Sequence, residues 1–199
     1  MTLIFASANK NKILEINTLI PKSYTVIGLT DVGIVNDITE TGTTIKQNSF
    51  LKANYVLDFL KNNKQNIAVF ADDSGLEVEV LKGEPGVYSA RYAGSPKNDV
   101  ANNQKLLAEL KNKNNRNARF VTIITLILNN QIHYFEGVIK GSIAKELNGN
   151  NGFGYDPLFI PNGYSQTFAQ MPNDLKNTIS HRAIAVNKLI KFLNNITAS

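Results

Sequence analysis

At 199 residues, 43% of them hydrophobic and 19% charged, the chain can build one large or two-lobed globular domain with a sizeable core. It holds no cysteine, which excludes disulfides and thiolate metal sites, and no apolar run near the ~18–20 residues of a membrane helix. The net charge of +5 lies on scattered lysines, as in Lys61-Asn62-Asn63-Lys64 and Lys111-Asn112-Lys113, without any nucleic-acid-binding signature.

The apolar opening Met1 to Ala6 is cut off by Asn9, Lys10 and Lys12, too early for a signal peptide, so a soluble cytoplasmic protein is expected. Thr2 to Ala6 reads as a short buried strand. Ile13, Ile16 and Ile20 then recur at helical spacing from Lys10 until Pro21 stops them. Tyr24 to Gly28 is a second short strand. Thr44-Ile45-Lys46-Gln47 fits a capping box for a helix running to about Leu60. Ile67 to Ala71 is a buried strand, and Leu76 to Leu81 alternates like a half-exposed one, with a tight turn expected at Asp72 to Gly75. Asn98 can cap a helix from Asp99 to about Leu110. Phe120 to Leu128 should pair with Ile132 to Ile139 through a turn at Asn129-Asn130, and Gly141 to Leu147 could add a strand. After a Gly-rich loop and a loop-like Asn173 to Asn177, a last helix runs from Ser180 to about Asn195, with Val186, Leu189, Ile190 and Leu193 as its core stripe. Early β-α-β alternation followed by a hairpin predicts a mixed α/β sheet.

Four stretches could carry chemistry. Ser7-Ala8-Asn9-Lys10-Asn11-Lys12 links a strand to a helix start, whose free N–H groups and dipole favour an anion. The alternative is an Asn9 cap with exposed lysines. Asp72 and Asp73 adjoin at the end of a buried strand. Like charges so close repel unless a cation sits beside them, and a hard ion such as Mg²⁺ takes one or two carboxylates plus substrate phosphates. Glu40 is a second candidate ligand. Gly152-Phe153-Gly154-Tyr155-Asp156-Pro157 combines glycines that admit close backbone approach with aromatic faces for a planar base. Ser180-His181-Arg182 puts two cationic side-chain types at the positive end of a helix, which something anionic or rich in acceptors would relieve. His133, within a strand pattern, reads as structural.

Together and in this order, these stretches resemble the inosine-triphosphate pyrophosphatase family. The matching residues are Ser7-Ala8-Asn9 with Lys12, Glu40-Thr41-Gly42, Asn48 with Leu51-Lys52-Ala53, and Ala71 to Leu76. Gly86-Val87-Tyr88-Ser89-Ala90-Arg91-Tyr92, Gly152 to Pro157 and Ser180-His181-Arg182 complete the set. The resemblance covers essentially the whole chain. It implies an elongated mixed α/β sheet with flanking helices, two lobes around a central active-site cleft, and a homodimer. It implies Mg²⁺-dependent hydrolysis of ITP, dITP and XTP to monophosphate and pyrophosphate, with no nucleic-acid or membrane partner. Residue by residue, Ser7, Ala8, Asn9, Lys10, Asn11 and Lys12 look like a triphosphate loop and Lys52 like a further phosphate contact. Glu40 and Asp73 look like metal ligands. Asp73 is the assigned proton acceptor, Asp72 beside it the other candidate, and Ser74 a substrate contact. Phe153, Gly154, Tyr155, Asp156, Lys176, His181 and Arg182 look like the nucleotide-recognition set. The chain departs from the family pattern at Ala8, where glycine is usual, and at Gln47, where glutamate is usual. The related septum-inhibitor-like pyrophosphatases, which favour modified pyrimidines, carry an N-terminal Ser-x-Arg-Arg type signature that is absent here.

Overall fold

The computed structural model describes residues 1–60 and 68–197. The Lys61 to Lys64 joint and Ile67, the expected first residue of the third strand, lie outside the described residues. The strands are β1 Thr2–Phe5, β2 Thr25–Ile27, β3 Ala68–Val78, β4 Asn117–Leu128, β5 Gln131–Ile143 and β6 Phe159–Pro161. They form one sheet in the order β2-β1-β3-β4-β5-β6. The helices are α1 Lys10–Leu19, α2 Ile45–Phe59, α3 Asp99–Glu109, α4 Asn173–Ile179 and α5 His181–Thr197. β1 runs parallel to β2 and β3, whereas β6 is antiparallel to β5, so the sheet is mixed as expected. No helix among the described residues is long and apolar enough to cross a membrane.

The chain divides into two compact units. The first comprises residues 1–73, 122–137 and 183–199. Its strands bury both faces, and the side-chain alternation of period two sorts them cleanly. Leu3, Phe5, Ala68 and Phe70 join Ile16 of α1, Ile20 just after it, and Val186, Leu189 and Leu193 of α5. Ile4, Ala6, Val69 and Ala71 point the other way and join Ala53 and Val56 of α2. Phe5 and Phe70, register partners on β1 and β3, stack with ring centroids 4.7 Å apart. The α5 stripe is the one its sequence pattern predicts. His133 is structural too, its ring 4.4 Å from that of Phe192.

The second unit comprises residues 74–121 and 138–182. One core gathers Leu76, Val78, Phe120, Tyr155, Phe159 and Phe168 with Leu106 of α3 and Leu110 just after it. Glu77, of opposite parity to Leu76 and Val78, instead meets Arg119 at 2.7 Å, the partly solvated face its alternation indicates.

Local signals explain most helix starts. The Asn9 side chain accepts from the N–H groups of Asn11 and Lys12, and Asn98 accepts from Ala101 N–H. Thr44 accepts from Gln47 N–H, while Gln47 Oε1 reaches back to Thr43 N–H at 2.8 Å. The glutamine at this position therefore performs a capping task. Asn129 and Asn130, with φ of 51° and 62°, form the two-residue turn between β4 and β5.

Three expectations are corrected. There is no turn at Asp72 to Gly75: β3 continues through all four residues to Val78, and Glu79–Leu81 is a short 3₁₀ turn rather than strand. Turn propensity loses there because the carboxylates find partners on either face, as set out below. Gly141 to Ile143 belongs to β5 rather than to a separate strand reaching Leu147, and it pairs with β6. Asn173 to Asn177 is not a loop but most of α4, set up by Pro172 ahead of it and Asp174 in its first turn. The last helix starts where the sequence places it: Ser180, read there as its N-cap, is extended immediately ahead of α5, its N–H closing onto Lys176 C=O at 2.9 Å.

Candidate active site

The parity of β3 decides where the paired carboxylates go. Asp72 continues the Ala68–Phe70 face, which packs on α1, and Asp73 continues the Val69–Ala71 face, which packs on α2. Each meets a lysine of the helix on its own face. Lys12 Nζ, on α1, lies 3.1 Å from Asp72 Oδ1, and Lys52 Nζ, on α2, lies 3.2 Å from Asp73 Oδ1. Two adjacent acids in a strand therefore need not confront one another. Lys52 Nζ also donates to Glu40 Oε1 at 2.7 Å, which ties the Glu40 loop to β3 through one ammonium.

These groups are buried: Asp72 is 0% exposed, Asp73 6% and Lys52 7%. Three carboxylates face two ammonium groups, a formal charge of −1. Burial and these neighbouring charges together set the pKa directions. Burial raises Asp73 most, against the lowering effects of Lys52 and Lys12, and Glu40 and Asp72 raise it further. Burial opposes the charge of Lys52, but Asp73, Glu40 and Asp72 together outweigh it and hold its pKa above the usual lysine value.

The donor set suits a hard dication. Glu40 and Asp73 already converge on one cation, Lys52 Nζ. Among the described residues no group of three or more acidic, His or Cys side chains is placed to hold a metal alone. An ion such as Mg²⁺ keeps waters and takes one or two carboxylates plus phosphate oxygens, so Glu40 and Asp73 are the side chains that could hold one.

In the leading loop, Ser7 Oγ accepts from Asn9 N–H at 3.3 Å, and the Asn9 cap occupies the N–H groups of Asn11 and Lys12. Ala8, Lys10 and Asn11 are exposed. Positive φ outside glycine is confined, among the described residues, to Lys82, Asn129 and Asn130, so Ala8 needs no glycine-like backbone.

In the second unit, Asp156 organises its own loop. Its Oδ2 accepts from Phe153 N–H at 2.8 Å and from Lys176 Nζ at 2.7 Å, both carboxylate and ammonium being buried. A Cβ at Gly152, whose φ is +74°, would stand 2.1 Å from that same Oδ2. Gly152→Ala is accordingly expected to lower the unfolding midpoint by several degrees, since left-handed strain alone is worth about 1–2 kcal/mol. An alanine variant melting with wild type would contradict the packing around Asp156.

Lys176 Nζ stands 5.1 Å and Arg182 Cζ 5.7 Å from the Phe153 ring centroid. Arg182, 2% exposed, donates from Nη2 to Ser74 Oγ at 3.2 Å. His181 lies flat on Phe120, centroids 4.6 Å apart at 11°, so one face of its ring is spent on the core. Burial above all, then Tyr92 and Asp99, pushes the Tyr155 phenol up, so it stays a donor, bonding Ser89 C=O at 2.9 Å. The sequence-predicted residues thus assemble into two groups. Lys12, Glu40, Lys52, Asp72 and Asp73 belong to the first unit; Ser74, Phe153, Asp156, Lys176, His181 and Arg182 belong to the second.

Motif reading missed the supports of the second group. Asp99 and Asn103, one turn apart on α3, bond the Gly154 peptide, and Asn102 bonds Ala90 C=O and Ala93 N–H. The available signal was polar residues on the stripe that continues to Leu106 and Leu110, where a helix usually places apolar ones.

Comparison with known proteins agrees with the motif resemblance. A family model described as the Ham1 family matches residues 3–192. A curated dITP/XTP pyrophosphatase of Flavobacterium psychrophilum is 54% identical over 195 residues, covering 98% of this chain and 100% of the relative. Its counterpart in Flavobacterium johnsoniae is 50% identical, covering 97% and 98%. Among solved structures, the Staphylococcus aureus Ham1 protein superposes with a TM-score of 0.87 at 42% identity, covering 98% of this chain and 99% of that one. A HAM1 protein from Coxiella burnetii gives 0.88 at 35% identity with the same coverage.

Proposed function

The chain belongs to the Ham1 family, and from that premise we propose that it hydrolyses the non-canonical purine nucleoside triphosphates ITP, dITP and XTP to monophosphate and pyrophosphate. Removing these nucleotides keeps deaminated purines out of DNA and RNA. The observation that carries the chemistry is the buried cluster in which Asp72 and Asp73, on opposite faces of β3, each meet a lysine.

Phosphoryl chemistry asks for positioning and charge neutralisation more than for a covalent intermediate. Lys12 and Lys52 would hold the phosphates that leave together as pyrophosphate. Asp73 accepts the proton of a water whose oxygen attacks the α-phosphorus, and the bond from that phosphorus to the bridging oxygen of the β-phosphate breaks. The raised pKa of buried Asp73 suits this base role, because it makes the carboxylate a better proton acceptor than an exposed one. Glu40 and Asp73 would hold Mg²⁺. When bound, the ion supplies charge neutralisation on the phosphates and a more acidic water.

In the second unit, the Phe153 face offers stacking for a purine. Arg182 and neighbouring N–H groups donate to a 6-keto oxygen; the 6-amino group of adenine is itself a donor and would leave them unpaired. Mismatches of this kind discriminate by ~10⁴-fold or more. A homodimer, and a cytoplasmic site of action on free nucleotides, complete the proposal.

The test is product identity. With Mg²⁺ and ITP the protein should release IMP and pyrophosphate, and ATP should remain largely intact. Release of IDP and orthophosphate would refute attack at the α-phosphorus.

A further inference from the structure

We propose that Asp99 and Asn103 of α3 are positioning residues for base discrimination, holding the Gly154 peptide from both of its polar ends and so fixing the Phe153–Tyr155 loop. This rests on the reading that the loop meets the purine base. Gly154 N–H donates to Asp99 Oδ2 at 2.9 Å, and Asn103 Nδ2 donates to Gly154 C=O at 2.8 Å. The orientation of the Asn103 amide is unambiguous, because a carbonyl can only accept.

Gly154 takes φ of +62°, and a Cβ added there would meet nothing within 4 Å. Its N–H and its C=O are both held by hydrogen bonds, and one face of α3 supplies the partner at each. The same helix fixes the neighbouring residue indirectly: Asn102 holds Ala90 and Ala93, in the segment whose Ser89 C=O accepts from Tyr155.

Two bland explanations fall short. An acid in the first turn of a helix complements its dipole, but the dipole does not call for a bond to Gly154. Asn103 is 5% exposed and its Oδ1 is buried without a hydrogen-bond partner. A leucine would pack that position without stranding an acceptor, so the amide is kept for what its Nδ2 does. Phe153, directly before Gly154, carries the ring over which Lys176 and Arg182 lie. A shift of the Gly154 peptide would move that ring and loosen recognition without touching the carboxylates of β3.

The experiment measures steady-state kinetics of the full chain with Mg²⁺ and ITP, GTP or ATP, alongside thermal melts, for D99A, D99N, N103A and N103D. D99A and N103A should raise KM for ITP about tenfold with kcat changed less than about threefold, and the ITP-to-ATP ratio of kcat/KM should fall about tenfold or more. D99N retains an acceptor oxygen and should return close to wild type. N103D has the size of asparagine but no donor for Gly154 C=O, so it should behave like N103A and decides the matter even where the alanine variants unfold. Wild-type KM and selectivity in N103D and in folded D99A would overturn the inference, as would a fall in kcat at unchanged KM. A wild-type enzyme with no preference for ITP over ATP would instead overturn the functional reading, and this inference with it.

Discussion

Replacing Asp73 by asparagine should lower kcat for ITP by about 10²–10⁴-fold, the usual worth of a positioned proton acceptor. The fold should survive intact. Asparagine has the same size, and Lys52 keeps Glu40 as a partner at 2.7 Å. Stability should even hold or rise, and the sign follows from the burial of Asp73. Its folded pKa lies above the unfolded value of 3.8, so ionisation at neutral pH is harder in the fold than in the open chain. A neutral side chain removes that penalty. The variant should thus be inactive with a melting temperature at or above that of wild type. Asp72→Asn provides the contrast, since Asp72 lies on the α1 face with Lys12. If D72N loses more turnover than D73N, the proton acceptor has been assigned to the wrong face of β3.

Lys176→Met should have the largest effect on stability. Asp156 and Lys176 form a buried pair at 2.7 Å, and removing the ammonium takes from the buried carboxylate its Lys176 partner. Such losses run to about 3–5 kcal/mol, or roughly 6–20 °C for a chain of this length. Lys176 also lies 5.7 Å from the Phe168 ring centroid, so the cation is engaged with the core as well as the loop. The double variant K176M/D156N should melt well above K176M, because asparagine can still accept from Phe153 N–H without a stranded charge. Urea unfolding of the four proteins completes the cycle. A K176M protein within about 1 kcal/mol of wild type would show that the pair does not hold the loop.

These two variants probe what was and was not legible in the chain. Asn9, Thr44 and Asn98 announce helix starts because a cap bonds N–H groups two or three residues away. Asn129-Asn130 announces a hairpin because two consecutive positive φ values suit few residues. The α5 stripe is legible because a helix repeats its buried face within a few residues. By contrast, Asp72-Asp73-Ser74-Gly75 carries the composition of a turn and is strand. α4 is short, and its buried Lys176 looks like a surface residue until Asp156 is brought against it. β6 is three residues long and exists because β5 offers it an edge.

The sequence by itself determined the mixed α/β class and most helices, because caps, turns and period-two or period-3.6 patterns act over a few residues, and its ordered motifs carried the resemblance to the family. Only the tertiary structure decided who meets whom. Lys12 finds Asp72 across 60 residues and Lys52 finds Asp73 across 21, and neither pairing leaves a local trace. Strand parity sends the two aspartates to opposite faces, and the helix lying on each face supplies the cation. In the same way α3 reaches Gly154 from 55 residues away, through a hydrogen bond that no periodicity encodes.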